Sequence, residues 1–371
     1  MHITPFGVEE WMNAYEGAAR FNLAETCVSS LTVEELLAIA GVNDGLEGLL
    51  SMRLTYGAIE GSDRLRDAIA TRYADSTRDD VLVTHGAIGA NALIYQALVS
   101  AGDRVVSIVP NYQQHYSIPE SLGAIVTRHE LLPENGFLPD WEKLAGQVAQ
   151  GAKMISLSNP NNPTGALMDR AFLEQLSEIA RDAGAWVLCD EVYRGTEQEG
   201  DAVTPSIVDV YERGIATGSM SKAFSLAGLR LGWMVAPEEV LETAMIHRDY
   251  NTISVGRIDD HLAALALENA DKILARSRQI CRSNLAVLDE WVKGEARADY
   301  VRPKAGTTAL VKVETGMPSA DFCKTLQQDT GVMFMPGSAL GMEGHVRIGY
   351  AFERDVLREG LERVSGFLAR L

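Results

Sequence analysis

Segments rich in Val, Ile and Leu alternate along the chain with segments whose apolar residues recur every three or four positions. The stretch 79–112, DDVLVTHGAIGANALIYQALVSAGDRVVSIVPNY, predicts a strand, a glycine turn, a helix and a second strand. In this helix Ala90, Leu93, Ile94 and Ala97 fall on one face, which is the spacing of an amphipathic helix.

The same alternation continues through the middle of the chain. Strands are predicted in GAIVTRHEL, AKMISLS, AWVLCDEVY and ERGIATGS, and an amphipathic helix in DRAFLEQLSEIARDAG. This order predicts an α/β fold with a mostly parallel sheet covered by helices on both faces. Ligands gather at the carboxyl ends of such strands, where we expect His85, Asn111, Asn159, Asp190 and residues 219–222.

The pattern changes after about residue 275. A long helical segment, KILARSRQICRSNLAVLDEWVKG, precedes two short strand patterns, TTALVKVE and HVRIGYAF. We therefore predict a large domain over residues 41–274 and a smaller α+β domain built from 1–40 plus 275–371. The helical segments before residue 40 are expected to pack against the smaller domain.

Composition narrows the function classes. The chain has 371 residues and a formal net charge of −18, which disfavours nucleic acid and anionic membranes as partners. No apolar stretch approaches the length of a membrane span, and the N-terminus lacks the pattern of a secretory signal. The four cysteines are widely spaced, which predicts no metal site, no disulfide framework and a cytoplasmic location.

One lysine stands in an unusual sequence context. Lys222, in GSMSKAFSL, has small and apolar neighbours and no acidic residue nearby in the sequence. Poor hydration disfavours an ammonium group, so we expect a neutral amine suited to Schiff-base chemistry. The alternative is a solvated loop lysine.

Other motifs supply further candidate groups. Asp190 follows the apolar WVLC and should be poorly solvated, so it needs a partner. The glycines of THGAIG allow backbone N–H groups to bind an anion at a helix start. Arg230 lies in apolar LAGLRLGW and is expected to be partly buried, while Arg347 alternates with apolar residues and should point inward. Each motif alone, like the turn NPNNPTG, also fits a purely structural role.

Together and in this order, the motifs NPNNPTG, DEVY and SMSK with Arg230 eight residues after the lysine resemble the fold-type I pyridoxal 5′-phosphate (PLP) enzymes, specifically the class I/II aminotransferases. The resemblance extends from about Tyr56 to Arg347. It implies that Lys222 binds PLP as a Schiff base and shuttles the substrate Cα proton. It also implies that Asp190 pairs with the pyridine nitrogen, and that Tyr193 and Asn162 bond the phenolic oxygen of the ring.

The resemblance implies the remaining contacts as well. The phosphate would be bound by Ser219, Arg230 and the N–H groups near Ala87 and Ile88. Tyr112 would stack on the ring, Arg347 would bind the carboxylate of an amino acid substrate, and Asn162 would also contact this substrate. Tyr56 resembles the tyrosine that reaches the phosphate of the neighbouring subunit, which implies a homodimer with shared active sites.

Two segments depart from the common pattern. Ala87 and Ile88 stand where hydroxyl residues are frequent, and RFNLAETCVSSLTVEEL replaces the usual N-terminal segment rich in glycine and proline. With HRDYNTIS, this segment is similar to a side branch that includes capreomycidine synthase and oxygen-using arginine oxidases. Glu16 and Glu25 are then candidates for binding a guanidinium group; the alternative is that both are ordinary solvated residues.

Two reactions fit these motifs. The first is amino transfer to a 2-oxo acid, and the second is elimination, cyclisation or oxidation of arginine or a derivative. A non-catalytic ligand-binding module would be expected to lack the lysine, which is present. A nicotinamide-dependent dehydrogenase lacks support because no GxGxxG joins a first strand to its helix.

Overall fold

The strands alternate with helices along most of the chain, as the hydrophobic pattern predicts. The computed structural model describes residues 2–42 and 46–371. The strands in these ranges are β1 (Phe21–Asn22), β2 (Val81–Thr84), β3 (Arg104–Val109), β4 (Ile125–Glu130), β5 (Ala152–Ser158), β6 (Trp186–Asp190), β7 (Gly214–Ser219), β8 (Gly232–Val235), β9 (Ala298–Tyr300), β10 (Thr308–Val313), β11 (Val332–Met333), β12 (Met335–Pro336) and β13 (His345–Gly349).

Some helices begin at a capping side chain or end at a glycine. The predicted helix at DRAFLEQLSEIARDAG has Asp169 as its N-cap and the left-handed Gly184 as its C-cap. The described α-helices are α1 (Gly7–Tyr15), α2 (Val33–Ala40), α3 (Leu46–Leu50), α4 (Asp63–Ala70), α5 (Gly86–Leu98), α6 (Gln114–Ser121), α7 (Trp141–Val148), α8 (Arg170–Ala183), α9 (Glu238–Asp249), α10 (Arg257–Glu268), α11 (Ala270–Gly294), α12 (Ser319–Thr330) and α13 (Arg354–Leu368).

Seven of the described strands form one large sheet, in the order β2-β8-β7-β6-β5-β3-β4. Strand β8 is antiparallel to both β2 and β7, whereas the other neighbouring pairs are parallel. The predicted mostly parallel sheet is therefore confirmed. Its parallel strands end at the same edge, which brings the segments after β2, β3, β5, β6 and β7 together.

Helices cover both faces of this sheet, as predicted. Along β2, Val81 and Val83 belong to one hydrophobic cluster and Leu82 to another. The first cluster includes side chains of α4, α7, α8 and α10, and the second includes side chains of α5 and α9. Because successive side chains of a strand point to opposite faces, two packed layers follow from one continuous apolar run.

A second, smaller unit follows the large sheet. Four of the described strands form an antiparallel sheet in the order β12-β13-β10-β9, and β1 pairs in parallel with β11. Side chains of β1, α11, α12 and α13 share one hydrophobic cluster with this sheet. The predicted α+β character of this part of the chain thus appears around the strand that carries Arg347.

Helix α11 contributes side chains to both the large and the small core. Within α11, Ile273 and Leu274 pack into the large core, whereas Cys281 and Leu285 pack into the small one. Helix α2 differs from expectation, because its buried Leu36 belongs to the large core rather than to the small domain. The apolar side of α2 packs against the large unit. The position of α2 in the sequence did not indicate this. The domain division at residues 40/41 and 274/275 stays a prediction.

The length and hydropathy of the described helices can be compared with those of a membrane span. In the ranges 2–42 and 46–371, none is both long and apolar enough to cross a membrane. Cys27, Cys189, Cys281 and Cys323 are free thiols.

The segment that follows β1 is held closely against the small sheet. The Gly349 N–H donates to the Leu23 carbonyl oxygen at 2.8 Å. A Cβ at position 349 would overlap the carbonyl oxygen of Glu25. Glycine at this position therefore permits residues 23–27 to lie directly on β13.

We expect Gly349→Ala to lower the free energy of unfolding by about 1–3 kcal/mol, because the added methyl group must displace the Glu25 backbone. Denaturant unfolding measures the change. The matched control is Gly366→Ala, which meets no neighbouring atom within 4 Å on the exposed side of α13. This control should raise the stability by about 0.5–1 kcal/mol. Equal stability of Gly349→Ala and the native protein would contradict the close packing.

Candidate active site

A cavity of about 440 Å³ lies at the carboxyl edge of the large sheet. The segment after β1, helix α1 and strand β13 close it from the other side. It brings together all but one of the predicted site residues. Those lining it are Glu16, Glu25, Ala87, Ile88, Tyr112, Asn162, Asp190, Tyr193, Ser219, Lys222, Arg230 and Arg347.

Lys222 lies just beyond the end of β7 and is partly buried. Its Nζ donates hydrogen bonds to Thr26 Oγ1 at 2.6 Å and to Cys27 Sγ at 3.4 Å. Burial acts to lower the pKa of the amine, but Tyr193, Cys27 and Glu25 outweigh burial and hold that pKa above its usual value. The expectation of a neutral lysine without an acidic neighbour is therefore wrong, because the fold supplies one from a distant segment.

That acidic neighbour is Glu25. Its Oε1 accepts backbone N–H groups from Thr26 at 2.6 Å and from Cys27 at 2.8 Å. Burial acts to raise the pKa of Glu25, but Lys222 and these N–H groups lower it below the usual value. Glu25 is thus an oriented carboxylate beside Lys222 and not a freely solvated loop residue.

Asp190 ends β6 and is buried, with an exposed fraction of 5%. Its Oδ2 accepts from Asn91 Nδ2 at 3.0 Å, and its Oδ1 accepts from the Val192 N–H at 3.2 Å. His115 Nε2 lies 3.7 Å from Oδ2. The expectation that this carboxylate is poorly solvated and has polar partners is confirmed.

Tyr193, Asn162 and Arg347 form the wall opposite the helix start of α5. All three are buried. Arg347 Nη1 donates to Asn162 Oδ1 at 3.3 Å, and Nη2 donates to the Ala24 carbonyl at 3.2 Å. Arg347 Nε has no hydrogen-bond partner within the described part of the chain. Burial lowers the pKa of Arg347. The predicted inward orientation of Arg347 is confirmed, and its guanidinium retains unused donor capacity.

The start of α5 forms the other end of the cavity. Gly86 has a φ of +69°, which turns the chain from β2 into the helix and leaves the N–H groups of the first turn facing the cavity. Ser219 is buried beside it, and its Oγ accepts from the Ser221 N–H at 3.2 Å. A Cβ at Gly232 would overlap the Ala87 nitrogen, so this glycine permits β8 to approach the turn.

Arg230 also borders this end, but it is exposed. Its Nη1 donates to the Ala227 carbonyl at 2.9 Å. The expectation of a partly buried arginine is wrong, because the apolar residues around it in the sequence face the core while its own side chain lies at the rim. Its left-handed backbone, with a φ of +49°, directs it there.

Tyr112 follows β3 and connects the cavity to α1. Its hydroxyl donates to Glu9 Oε1 at 3.2 Å, and its ring centroid lies 4.7 Å from that of Phe6. Burial, reinforced by the charge of Glu9, raises the pKa of Tyr112. The N-terminal helix therefore covers the tyrosine that was predicted to stack on a cofactor ring.

Glu16 and Tyr56 are also exposed. Glu16 borders the cavity, where its Oε1 accepts from Asn22 Nδ2 at 3.1 Å. Tyr56 is 79% exposed and lies outside this cavity. The structure therefore does not bring Tyr56 to the site of its own chain, and its role across a subunit interface stays a prediction.

Several polar residues of the site were not predicted. Thr26 and Cys27 contact Lys222, Asn91 and His115 surround Asp190, and Glu9 contacts Tyr112. For Asn91, a signal existed: it is a polar residue on the otherwise apolar face of α5. His85 was expected at the carboxyl edge of the sheet, but it is not among the described residues that line the cavity. His115, for which no site role was predicted, is buried beside Asp190.

The geometry at this cavity has counterparts in known proteins. The family model described as aminotransferase class I and II matches residues 28–364. Capreomycidine synthase from Streptomyces vinaceus is 29% identical over 96% of this chain and 92% of its own. An arginine–pyruvate transaminase from Pseudomonas aeruginosa is 27% identical over 96% of each chain.

A solved structure shows the same arrangement of elements. The crystal structure of a PLP-dependent aminotransferase from Streptococcus suis is 45% identical, with a TM-score of 0.96 over 100% of this chain and 99% of that one. The fold is therefore that of the fold-type I PLP enzymes. Family match and fold agree: the chain belongs to the class I and II aminotransferases and is an aminotransferase-type enzyme whose cofactor is PLP.

Proposed function

We propose that this enzyme transfers the amino group of an amino acid to a 2-oxo acid through a Schiff base at Lys222. The observation that carries the proposal is the convergence of Lys222, buried Asp190 and the start of α5 on one cavity. An amine, a carboxylate and an anion-binding helix start are the three groups that the aldehyde, ring nitrogen and phosphate of PLP require.

The residues present fit the cofactor. When bound, PLP supplies an electron sink that stabilises negative charge at the substrate Cα. Asp190 holds a proton on the ring nitrogen, and Asn91 keeps its carboxylate oriented. Lys222, which lines the cavity, would accept and return the Cα proton.

Further residues would orient the cofactor and exclude water. Tyr193 and Asn162 would bond the phenolic oxygen of the ring, and Tyr112 would contact the ring. Ser219, Arg230 and the N–H groups of Ala87 and Ile88 would bind the phosphate. Their common place at the α5 end of the cavity supports this assignment.

Arg347 binds the substrate carboxylate. Its guanidinium is buried, lines the cavity and has one N–H group without a partner among the described residues. A carboxylate would satisfy this donor and offset the cost of burying the charge. Asn162, bonded to Arg347 Nη1, keeps the guanidinium in place.

The substrate side chain is cationic in this proposal, with arginine as the preferred candidate. Glu9, Glu16 and Glu25 all line the cavity on its N-terminal side. They bring three carboxylates to the cavity, which suits a guanidinium group. Two relatives of this chain are named for capreomycidine synthesis and for arginine–pyruvate transamination.

The second candidate function is elimination, cyclisation or oxygen-dependent oxidation of arginine or a derivative. It is favoured by the segment Glu25–Cys27, which places polar groups at Lys222 where common members carry glycine and proline. The similarity to capreomycidine synthase over most of both chains supports the same reading.

We also propose a homodimer with shared sites. Large apolar side chains are exposed on the segments before α4 and after α9, including Leu54, Tyr56, Tyr250 and Ile253. A second copy of the chain would cover them and would bring Tyr56 to a neighbouring phosphate site. A cytoplasmic location likewise stays a prediction.

Lys222→Ala should abolish the visible absorbance of the bound cofactor and all turnover, because among the described residues that line the cavity Lys222 is the one lysine. Borohydride reduction of the native enzyme followed by peptide mass spectrometry should place the adduct on Lys222. The control is Lys324→Ala, on the exposed side of α12. An adduct on another lysine would refute the assignment.

Asp190→Asn should retain the cofactor but slow Cα deprotonation by on the order of 100-fold, since a neutral amide cannot hold the ring nitrogen protonated. Exchange of the substrate α-proton with deuterium, followed by NMR, measures this step. Asp182→Asn, exposed on α8, controls for loss of one charge. Near-native exchange in Asp190→Asn would remove Asp190 from its proposed role.

The reaction class is tested by mixing the enzyme with single amino acids, with and without 2-oxoglutarate, under air and under nitrogen. Amino transfer predicts that arginine is consumed only when the 2-oxo acid is present and equally well without oxygen. Ammonia release or oxygen uptake without an acceptor would instead establish the second candidate. Consumption of neutral amino acids in preference to arginine would contradict the proposed cationic substrate.

A further inference from the structure

Two consecutive residues from the N-terminal part of the chain contact the Lys222 nitrogen. Nζ donates to Thr26 Oγ1 at 2.6 Å and to Cys27 Sγ at 3.4 Å. Glu25, which precedes them, lines the same cavity; burial acts to raise the pKa of its carboxyl group, but the charge of Lys222 helps to lower that pKa. The contact joins residues 196 positions apart, so it depends entirely on the tertiary fold.

The three residues are fixed relative to one another. Glu25 Oε1 accepts the N–H groups of both Thr26 and Cys27, which closes the segment on itself. A carboxylate that accepts two backbone N–H groups is held in one orientation and stays ionised. The negative charge beside Lys222 is therefore a fixed feature of the cavity.

The small sheet holds this segment from behind. Thr307 Oγ1 donates to the Thr26 carbonyl at 2.7 Å, and Gly349 packs against the Glu25 carbonyl. Tyr193 lines the same cavity as Thr26. Thr26 thus links Lys222 to the small sheet.

We infer that Glu25 and Thr26 are positioning residues, which orient the Lys222 nitrogen and place a fixed negative charge beside the Schiff base formed there. This inference rests on the proposed function of Lys222. Glu25 would then act on the charge of Lys222 in addition to contacting a cationic substrate side chain. Cys27 contributes a weaker acceptor.

Other charged and titratable groups lie around the same cavity. Tyr193, from the segment after β6, acts on the pKa of Lys222 in the same direction as Glu25. Arg347 on β13 acts on Tyr193, while Tyr112 from the segment after β3 and Glu9 from α1 act on Arg347. Of these groups, Glu25 is the carboxylate that acts directly on Lys222, so its removal has a definite sign.

The sign follows from electrostatics. A carboxylate favours the protonated form of a nearby amine or imine, so it raises the pH at which that nitrogen loses its proton. Neutralising the carboxylate lowers that pH. Removing the Thr26 hydroxyl removes a hydrogen-bond acceptor for the protonated nitrogen. This change also lowers the pH at which the nitrogen loses its proton.

The test uses the PLP-loaded enzyme and follows the visible absorbance of the protein-bound Schiff base as a function of pH. We expect Glu25→Gln to lower the midpoint by about one pH unit, as expected for loss of an opposite charge nearby. Thr26→Val should lower it by a smaller amount, and Thr26→Ser, which keeps the hydroxyl, should restore the native value. Glu10→Gln, an equal change of charge on the exposed side of α1, should leave it unchanged.

A second measurement does not depend on the cofactor. In cofactor-free protein, the pH dependence of Lys222 acylation, read by peptide mass spectrometry, should shift in the same direction for Glu25→Gln. Borohydride labelling distinguishes a failure of the proposed function from a failure of this inference. An adduct away from Lys222 would sink the proposed function, whereas an adduct on Lys222 with unchanged midpoints in Glu25→Gln and Thr26→Val would overturn this inference alone.

Discussion

The hydrogen bond between Lys222 and Thr26 joins the two halves of the active site. The lysine extends from the end of β7 in the large sheet, and the threonine belongs to a segment held against the small sheet. Neither half encloses the cavity alone. Because the N-terminal segment is fixed by Leu23, Thr26 and Gly349, the position of the amine depends on the packing of the small sheet.

Charge is distributed around the cavity in a way that suits a zwitterionic substrate and an anionic cofactor. Arg347 and Arg230 both line the cavity, and in the proposed function the first would bind the substrate carboxylate and the second the phosphate. Asp190 is buried, accepts a hydrogen bond from Asn91 and lies beside His115. The carboxylates of Glu9, Glu16 and Glu25 also line the cavity, and in the proposed function they would favour a cationic substrate side chain.

Much of the fold could be predicted from the local pattern of apolar and polar residues in the sequence. The amphipathic face of α5 and the capped helix α8 appear where periodicity predicted them, and β6 carries Asp190 at its end as the apolar WVLC indicated. These predictions hold because burial on both faces of a parallel sheet requires long apolar runs in its strands. The polar residue that ends such a run marks the edge of the sheet where ligands bind. Helix α2 was assigned to the wrong core because its amphipathic pattern shows that it has a partner but not which one.

The sequence by itself determined the order of strands and helices, the family and its cofactor, and the identity of the lysine, aspartate and arginines at the site. Only the tertiary structure decided the surroundings of that lysine. Its sequence neighbours are apolar, yet Glu25 and Thr26 reach it from nearly two hundred residues away. Electrostatic interactions depend on distance in space, so the protonation of a buried group cannot be read from the residues beside it in the chain.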